Sequence, residues 1–165
     1  MRAVRKLWRR SWPNGCIETV MTDNPRFWEE PLEKLDRAQW EALCDGCGKC
    51  CLHKVEDEDT GRIYPTNIAC KLLDPETTQC RDYRHRRMHV PDCLRLSRHR
   101  IEEYVWLPET CAYVLRHSGK SLPAWHYLLS GSHDAMHDGG HSVRGRTISE
   151  DDAGPVEEHI IAQPL

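Results

Sequence analysis

Apolar residues recur at helical spacing just before the first cysteines of the chain. Trp40 and Leu43 lie three positions apart in a polar segment, so they share one face of a helix. Asp36 precedes this segment and can cap it, while Gln39 can reach back to the backbone of Asp36. The pattern predicts a helix that ends at Leu43, with the first cysteine at its last turn.

Two further helices are predicted between residues 97 and 119. Ser97 is a good N-cap for a helix from Arg98 to Leu107. Pro108 suits the first turn of a second helix, Glu109 to His117, which Gly119 closes. The apolar face of this second helix, predicted to join the core, carries Cys111, Val114 and Leu115.

A turn sequence separates two short segments in the middle of the chain. Asp74-Pro75-Glu76-Thr77 places proline at the second position of a turn, and residues 67–73 and 78–83 flank it. A β-hairpin at this point would set Cys70 and Cys80 almost opposite one another.

The composition indicates a thin apolar core. Only 39% of the 165 residues are hydrophobic, there is a single Phe, and the mean hydropathy is -0.71. Six Trp and nine Cys nevertheless set the chain apart from disordered proteins. Cross-links or a bound metal commonly compensate for a small core. The predicted fold class is therefore α+β: a small, irregular, metal-stabilised domain of short helices and one or two β-hairpins around a cysteine cluster.

Charge divides the chain into three parts. The first 20 residues carry five basic side chains against Glu18, which gives them +4 of a total of -3 and leaves -7 on the remainder. We expect residues 1–20 to be a basic extension that is disordered or untranslated, with Met21 as the true start. Residues 21–150 would form the cysteine-cluster domain, and residues 151–165 a loose acidic tail.

The cysteines are expected to lie in a reducing compartment. No stretch is apolar enough to cross a bilayer, and the basic extension has no apolar run of signal-peptide length. A cytoplasmic location follows, where clustered cysteines bind metal more often than they form disulfides. Cys16 lies in the extension, which leaves eight cysteines in the domain.

The central motif is a dense run of thiols at metal-binding spacing. Cys44, Cys47 and Cys50 form two overlapping C-x-x-C units, and Cys51 follows at once. Two intervening residues let both sulfurs of a unit reach one ion, while the backbone N–H groups between them point at the thiolates. Glycine permits the tight turns that this requires. The run opens like a bacterial ferredoxin motif but lacks the fourth cysteine followed by proline.

Adjacent Cys50 and Cys51 leave two arrangements open. Neighbouring side chains point apart, so either one thiol binds metal and the other is spare, or each faces a different ion. Eight thiolates would supply two four-cysteine sites, or one iron–sulfur cluster and a zinc site. The predicted metal ligands are Cys44, Cys47, Cys50, Cys51, Cys70, Cys80, Cys93 and Cys111.

Histidines and arginines offer weaker signals. His53 is a reserve ligand, whereas His126 is expected to be hydrogen-bonded in a packed loop. A three-histidine site at positions 133, 137 and 141 is not expected, because Gly139-Gly140 ends the helix before the third histidine. Seven arginines between residues 81 and 100 are expected to pair with the acidic remainder rather than with nucleic acid, since only Tyr83 is available to stack on bases.

Several segments resemble one bacterial family. The run W-E-A-L-C-D-G-C-G-K-C-C-L-H-K-V-E-D-E-D from Trp40 to Asp59 is similar to the YkgJ-type cysteine-cluster family, in its YcgN branch. So are the segments beginning at Thr66, Val90, Trp106, Thr110 and Ser142. The resemblance implies a zinc- or iron-chelating domain with the eight cysteines above as its cysteine positions, and it implies no reaction. One departure is Tyr127, where the family usually has Pro.

The sequence therefore predicts a metal-binding protein with zinc or iron, including an iron–sulfur cluster, as its cofactor. An iron–sulfur redox or accessory enzyme and a zinc-stapled module that binds nucleic acid or protein are the alternatives. No catalytic constellation is recognisable. The net charge and the pI near 6.4 argue against a general affinity for nucleic acid, and the residues identify no protein partner.

Overall fold

The structure, a computed structural model, describes residues 24–162. Short helices and a small sheet, joined by 3-10 turns and irregular segments, confirm the α+β class. The α-helices are α1 (Arg37–Leu43), α2 (Arg86–His89), α3 (Ala112–His117), α4 (Tyr127–Ser130) and α5 (Asp134–Asp138). The strands are β1 (Leu52–Glu56), β2 (Ile63–Ala69) and β3 (Ile148–Ser149). The 3-10 turns are Phe27–Glu29, Leu32–Lys34, Lys49–Cys51, Arg98–Glu103 and Val156–His159.

Helix α1 confirms the first prediction. The Asp36 carboxylate accepts the backbone N–H of Gln39 at 2.8 Å, and the Gln39 side-chain oxygen accepts the N–H of Asp36 at 3.0 Å. This capping box satisfies two backbone donors that a helix start otherwise leaves unpaired. Trp40 and Leu43 are both buried, as their spacing predicts. The helix thus delivers Cys44 at a defined position.

We expect Asp36→Ala to lower the free energy of unfolding by about 1 kcal/mol, because the cap on the N–H of Gln39 is lost. Asp36→Asn is the matched control, since asparagine caps nearly as well as aspartate. Denaturant unfolding of the three proteins measures the difference. Equal losses in both variants would show that the carboxylate charge, rather than the cap, stabilises the helix.

The sheet contains a hairpin that the sequence did not reveal. Strands β1 and β2 pair antiparallel, with Val55 opposite Tyr64, and β3 adds in parallel to the end of β2. Strand β1 begins directly after Cys51, and β2 ends directly before Cys70. The pairing therefore brings these two cysteines to the same end of the hairpin.

The hairpin predicted across residues 67–83 is wrong in extent. Only one bridge, between Leu73 and Cys80, forms there outside the strands. Between them the Asp74 carboxylate accepts the N–H groups of Glu76 and Thr77 at 3.1 and 2.9 Å, which tightens the turn. The chain is thus drawn into a compact loop instead of two extended strands, because side-chain bonds replace a ladder.

The helices predicted after Ser97 are shorter than expected. Ser97 does cap its segment, but the 3-10 turn that follows breaks at Arg100 and ends at Glu103. The backbone of Arg100 is not helical (φ −133°, ψ 21°), and the guanidinium of Arg98 is bonded to backbone carbonyls of the segment 32–35. Helix α3 begins at Ala112 rather than Glu109, since Pro108 to Cys111 forms a separate turn.

Two apolar clusters make up most of the core, and Ile68 and Met136 are buried outside both. The larger cluster packs α1 against α3, α4 and the 3-10 turns; its buried residues are Phe27, Trp28, Leu32, Leu35, Trp40, Ala42, Leu43, Ile101, Tyr104, Leu107, Ala112, Tyr113, Leu122, Tyr127 and Leu128. The smaller cluster, under the sheet, has only Leu52, Ala69, Leu73 and Val143. No helix in residues 24–162 combines the length and apolar character needed to cross a membrane.

The described part of the acidic tail packs on the sheet, so the prediction of a loose tail is wrong for it. Thr66 bridges to Ile160, and the N–H of Ile161 donates to the carbonyl of Pro65 at 3.0 Å. His159 and Asn67 share a side-chain hydrogen bond of 2.9 Å. The predictions for residues 1–20, Cys16 and Met21 lie outside the described residues.

Candidate metal centre

The cysteine run from residue 44 to 51 is a succession of tight turns. Cys44 is the C-cap of α1 and already extended, and Gly46 and Gly48 both have φ near +79°. The 3-10 turn Lys49–Cys51 follows and leads into β1. Positive φ is readily adopted by glycine alone, so the glycines permit these turns as the sequence predicts.

Side chains from later in the chain fix the end of α1, from which Cys44 emerges. Tyr113 donates to the carbonyl of Trp40 at 3.1 Å, and Tyr127 donates to that of Ala42. His126, fully buried, donates from Nε2 to the carbonyl of Leu43 at 3.1 Å. The last carbonyls of a helix lack partners within it, so these bonds complete α1.

The same loop contains one predicted residue, His126, and one departure from the family pattern, Tyr127. His126 also accepts the N–H of Leu128 at its Nδ1, so the predicted hydrogen-bonded histidine in a packed loop is confirmed. Tyr127, the departure from the family pattern, supplies a hydroxyl to the core. Sequence reasoning missed Tyr113 and Tyr127 as supports of the cysteine run, and no local signal links them to residues about 70–85 positions away.

The loop backbone itself is held from three directions. The hydroxyl of Thr78 donates to the carbonyl of Gly46 at 2.6 Å. The N–H of Val143 donates to the carbonyl of Cys47 at 2.9 Å, and Nδ1 of His133 donates to the carbonyl of Asp45 at 3.0 Å. The Asp45 carboxylate accepts the N–H of Cys47 at 3.0 Å. The run is therefore a fixed structure rather than a free loop.

The eight predicted ligands lie in this run and at four later positions of the chain, Cys70, Cys80, Cys93 and Cys111. Seven are half-buried and Cys50 is exposed; all eight are free thiols. Cys111 is the N-cap of α3. Cys93 lies in a turn in which its own N–H donates to the carbonyl of Val90. Cys70 donates its N–H to the carbonyl of Cys51 at 2.9 Å. Strand pairing thus places Cys70 beside the cysteine run.

Burial raises the pKa of four of these thiols, and backbone groups two or three residues ahead oppose the shift. Burial raises the pKa of Cys47, Cys70, Cys80 and Cys111, the last to about 12. Hydrogen bonding from the backbones of Lys49, Leu72, Asp82 and Val114, respectively, lowers these pKa values. Backbone N–H groups directed at sulfur favour the thiolate, the form that binds metal.

Cys50 and Cys51 form a close pair. Their sulfurs lie 4.0 Å apart, so the expectation that the two side chains point apart does not hold for the sulfurs. The hydrogen bond from Cys51 lowers the pKa of Cys50 to about 7, and the same bond, together with burial, raises the pKa of Cys51. One thiolate is thus stabilised by its neighbouring thiol.

Lys54 is the cation of this centre, which sequence reasoning missed. Its ammonium donates to the carbonyls of Lys49 and Leu52 at 2.9 and 2.7 Å, on either side of the Cys50–Cys51 pair, and lies 5.0 Å from the ring centre of Trp106. Burial lowers the pKa of Lys54, while the charges of Cys50, Cys51 and Cys47 raise it. Its position on β1, two residues after Leu52, could have suggested this role.

We expect Lys54→Met to lower the free energy of unfolding by about 1–3 kcal/mol, because two carbonyls lose their donor. Methionine keeps most of the aliphatic stem, so the loss isolates the ammonium. Lys49→Met is the matched control, since that side chain makes no hydrogen bond or ion pair to a described residue, and its effect should stay within about 0.5 kcal/mol. Comparable losses in both variants would contradict the role given to Lys54.

Cysteine sulfur is a suitable ligand for zinc or iron, although the sulfurs do not converge on a common point in the structure. Thiolates are preferred ligands of both metals. Within residues 24–162, however, no three or more His, Cys, Asp or Glu side chains are arranged so that they could hold an ion. The thiols therefore do not form a complete coordination site in the arrangement that the structure describes.

The histidines have other partners. His53 pairs with Glu150 at 2.9 Å, with a carboxylate oxygen facing its Nε2. His133 bonds the carbonyl of Asp45, His137 bonds the hydroxyl of Ser142 at 2.7 Å, and His141 stacks on Trp125 at 4.5 Å. The last three side chains thus make three separate contacts.

The arginines between residues 81 and 100 follow the predicted pairing only in part. Arg81 pairs with Asp74 at 3.5 Å, and Arg100 pairs with Glu103 at 2.6 Å. Arg86 lies over the ring of Tyr83, 3.9 Å from its centre. Arg84, Arg87 and Arg95 make no ion pair with any residue that the structure describes. Nucleic-acid binding therefore stays an untested alternative.

Comparison with known proteins places the cysteine centre in a family context. The model of the CxxCxxCC family, described as a "Putative zinc- or iron-chelating domain", matches residues 43–112. A UPF0260 protein of Rhizorhabdus wittichii is 53% identical over 146 residues, which are 88% of this chain and 100% of the relative. A UPF0260 protein of Vibrio cholerae is 52% identical over 82% of this chain and 94% of its own length. UPF0260 protein YcgN of Salmonella newport is 47% identical over 89% and 96%. No solved structure matches the chain.

Proposed function

The chain belongs to the UPF0260 family, and on that premise we propose that it is a metal-binding protein whose eight clustered cysteines chelate zinc or iron. The proposed ligands are Cys44, Cys47, Cys50, Cys51, Cys70, Cys80, Cys93 and Cys111. The resemblance to a zinc- or iron-chelating domain over residues 43–112 supports this proposal and covers all eight.

One observation carries the proposal: strand pairing places Cys70 against Cys51, whose sulfur lies 4.0 Å from that of Cys50. Cysteines that serve as small apolar residues are among the most fully buried side chains of a protein. None of these eight is fully buried, and backbone hydrogen bonds favour the thiolate at four of them. A bound cation would stabilise thiolates that burial and mutual repulsion otherwise disfavour.

Whether the bound metal is zinc or iron decides what the metal does in this protein. Zinc would cross-link the segments that carry the thiols, whereas an iron–sulfur cluster would transfer electrons. With either metal, the same residues position the thiols and offset their negative charge. The bonds that complete α1 position Cys44, the pairing of β1 with β2 positions Cys51 and Cys70, and Lys54 compensates part of the negative charge.

The test is purification of the full chain without air, followed by elemental analysis and an absorption spectrum. We expect stoichiometric zinc in a colourless protein, or iron in a brown protein that bleaches on reduction. A Cys44→Ser/Cys47→Ser variant is the control and should retain less metal. Wild-type protein without stoichiometric zinc or iron would overturn the proposal.

A further inference from the structure

Cys50 and Cys51 lie in a turn that holds two neighbouring thiols close together. The N–H of Cys51 donates to the carbonyl of Gly48 at 3.0 Å, and the N–H of Leu52 donates to that of Lys49. In a strand successive side chains point to opposite faces, whereas the three residues per turn of a 3-10 helix set them about 120° apart. This geometry lets the two sulfurs come within 4.0 Å of each other.

The two thiols of this pair differ in their surroundings. Cys50 is exposed, whereas Cys51 is half-buried and packs against the smaller apolar cluster. The carbonyl of Cys51 also accepts the N–H of Cys70 at 2.9 Å, which ties the backbone of Cys51 to the end of β2. A dissolved reagent therefore meets Cys50 first and finds the second thiol next to it.

We propose that Cys50 and Cys51 form a site of reversible oxidation by hydroperoxides. The thiolate of Cys50 attacks the peroxide O–O bond, which yields a sulfenic acid at Cys50 and releases water or, from an organic hydroperoxide, an alcohol. The thiol of Cys51 then displaces the hydroxyl group as water and forms the Cys50–Cys51 disulfide. In total the two thiols lose two protons and two electrons, and the peroxide takes up both. This oxidation goes beyond the proposed metal binding and does not require it.

A disulfide between neighbouring cysteines is easily reduced again. Consecutive Cα atoms lie about 3.8 Å apart, closer than the roughly 4.4–6.8 Å that ordinary disulfides span. Such strain makes the bond more reducible, and exposed or strained disulfides are the labile ones. The pair therefore suits a reversible modification rather than a structural cross-link. The oxidised pair offers no thiolate, so oxidation also removes two of the eight proposed metal ligands.

The test treats the full chain with hydrogen peroxide until the loss of thiols is complete, blocks the remaining thiols with iodoacetamide and digests the unreduced protein with trypsin. Cleavage after Lys49 and Lys54 releases residues 50–54, a peptide that contains both cysteines of the pair and no other cysteine. We expect this peptide to be two hydrogens lighter than its thiol form and to carry no alkyl group. Glutathione added before the alkylation should restore two thiols that react with iodoacetamide.

Unfolded protein is the matched control for the geometry of the turn. In concentrated guanidinium chloride the turn no longer holds the two side chains together, so the same bond should form at least about tenfold more slowly. Cys51→Ser should stop the reaction at a sulfenic acid on Cys50, which dimedone traps. Cys50→Ser should give much less trapped product, because it removes the exposed thiol.

Three results would overturn the inference: two free thiols in the peptide 50–54 after the other cysteines have reacted, a disulfide that joins this peptide to the segment containing Cys70, or equal rates in folded and unfolded protein. The wild-type measurements decide the matter even where a serine variant does not fold. Metal content, measured before oxidation, keeps this inference apart from the proposed function. A pair that oxidises as described in protein without zinc or iron supports the oxidation site and counts against metal binding.

Discussion

Removal of the proposed metal should abolish the cooperative unfolding of this protein. Structural zinc sites contribute on the order of 10 kcal/mol or more, which is comparable to the whole stability of a small domain. The smaller apolar cluster has only four buried residues, so apolar burial contributes less to the stability of the sheet than to that of the helices. Thermal unfolding followed by circular dichroism, before and after treatment with a strong chelator, measures the effect.

The regions around the larger and the smaller apolar cluster should respond unequally to removal of the metal. The larger cluster contains fifteen buried residues and should retain compact helical structure after chelation, whereas the pairing of β1 with β2 should be lost. Amide hydrogen exchange resolves the two regions. Adding zinc back should restore both, and Cys44→Ser/Cys47→Ser should reproduce the chelated state in part. A protein that unfolds identically with and without metal would contradict the metal-stabilised fold.

Gly48→Ala should be the more damaging of the two alanine substitutions at glycines of the cysteine run. Gly48 has φ of +79°, and a Cβ placed there would lie 2.7 Å from Cγ2 of Val143 and 3.2 Å from Cβ of Thr78. The backbone strain costs about 1–2 kcal/mol and the overpacking about 1–3 kcal/mol. Val143 is fully buried and cannot easily move. We therefore expect a loss of about 2–5 kcal/mol in the free energy of unfolding of metal-loaded protein.

Gly46→Ala is the matched control for this prediction. Gly46 has the same φ, but a Cβ there would meet nothing within 4 Å, so only the backbone strain should appear. Val143→Ala combined with Gly48→Ala should recover part of the loss, because it removes the methyl group in the closest contact. Equal losses for Gly46→Ala and Gly48→Ala would mean that packing against Val143 is unimportant.

Local structure could be predicted wherever neighbours in sequence determine it. Helix α1 and its capping box depend on residues 36–43, and the turns of the cysteine run depend on Gly46 and Gly48. The hairpin of β1 and β2 was missed because its strands carry no clear alternation: His53, Lys54 and Pro65 lie within them. The predicted helix through Leu107 was too long because the backbone leaves helical geometry at Arg100, which the pattern of residue types does not reveal.

The sequence by itself determined which thiols are candidates, since C-x-x-C spacing and glycine act over a few residues. Only the tertiary structure decided their surroundings. It places Cys70 against Cys51 through strand pairing, and Lys54 beside the Cys50–Cys51 pair. Tyr113, His126 and Tyr127 complete α1 from far along the chain. Such contacts join residues that share no local pattern, because burial and backbone hydrogen bonding are satisfied by the whole fold.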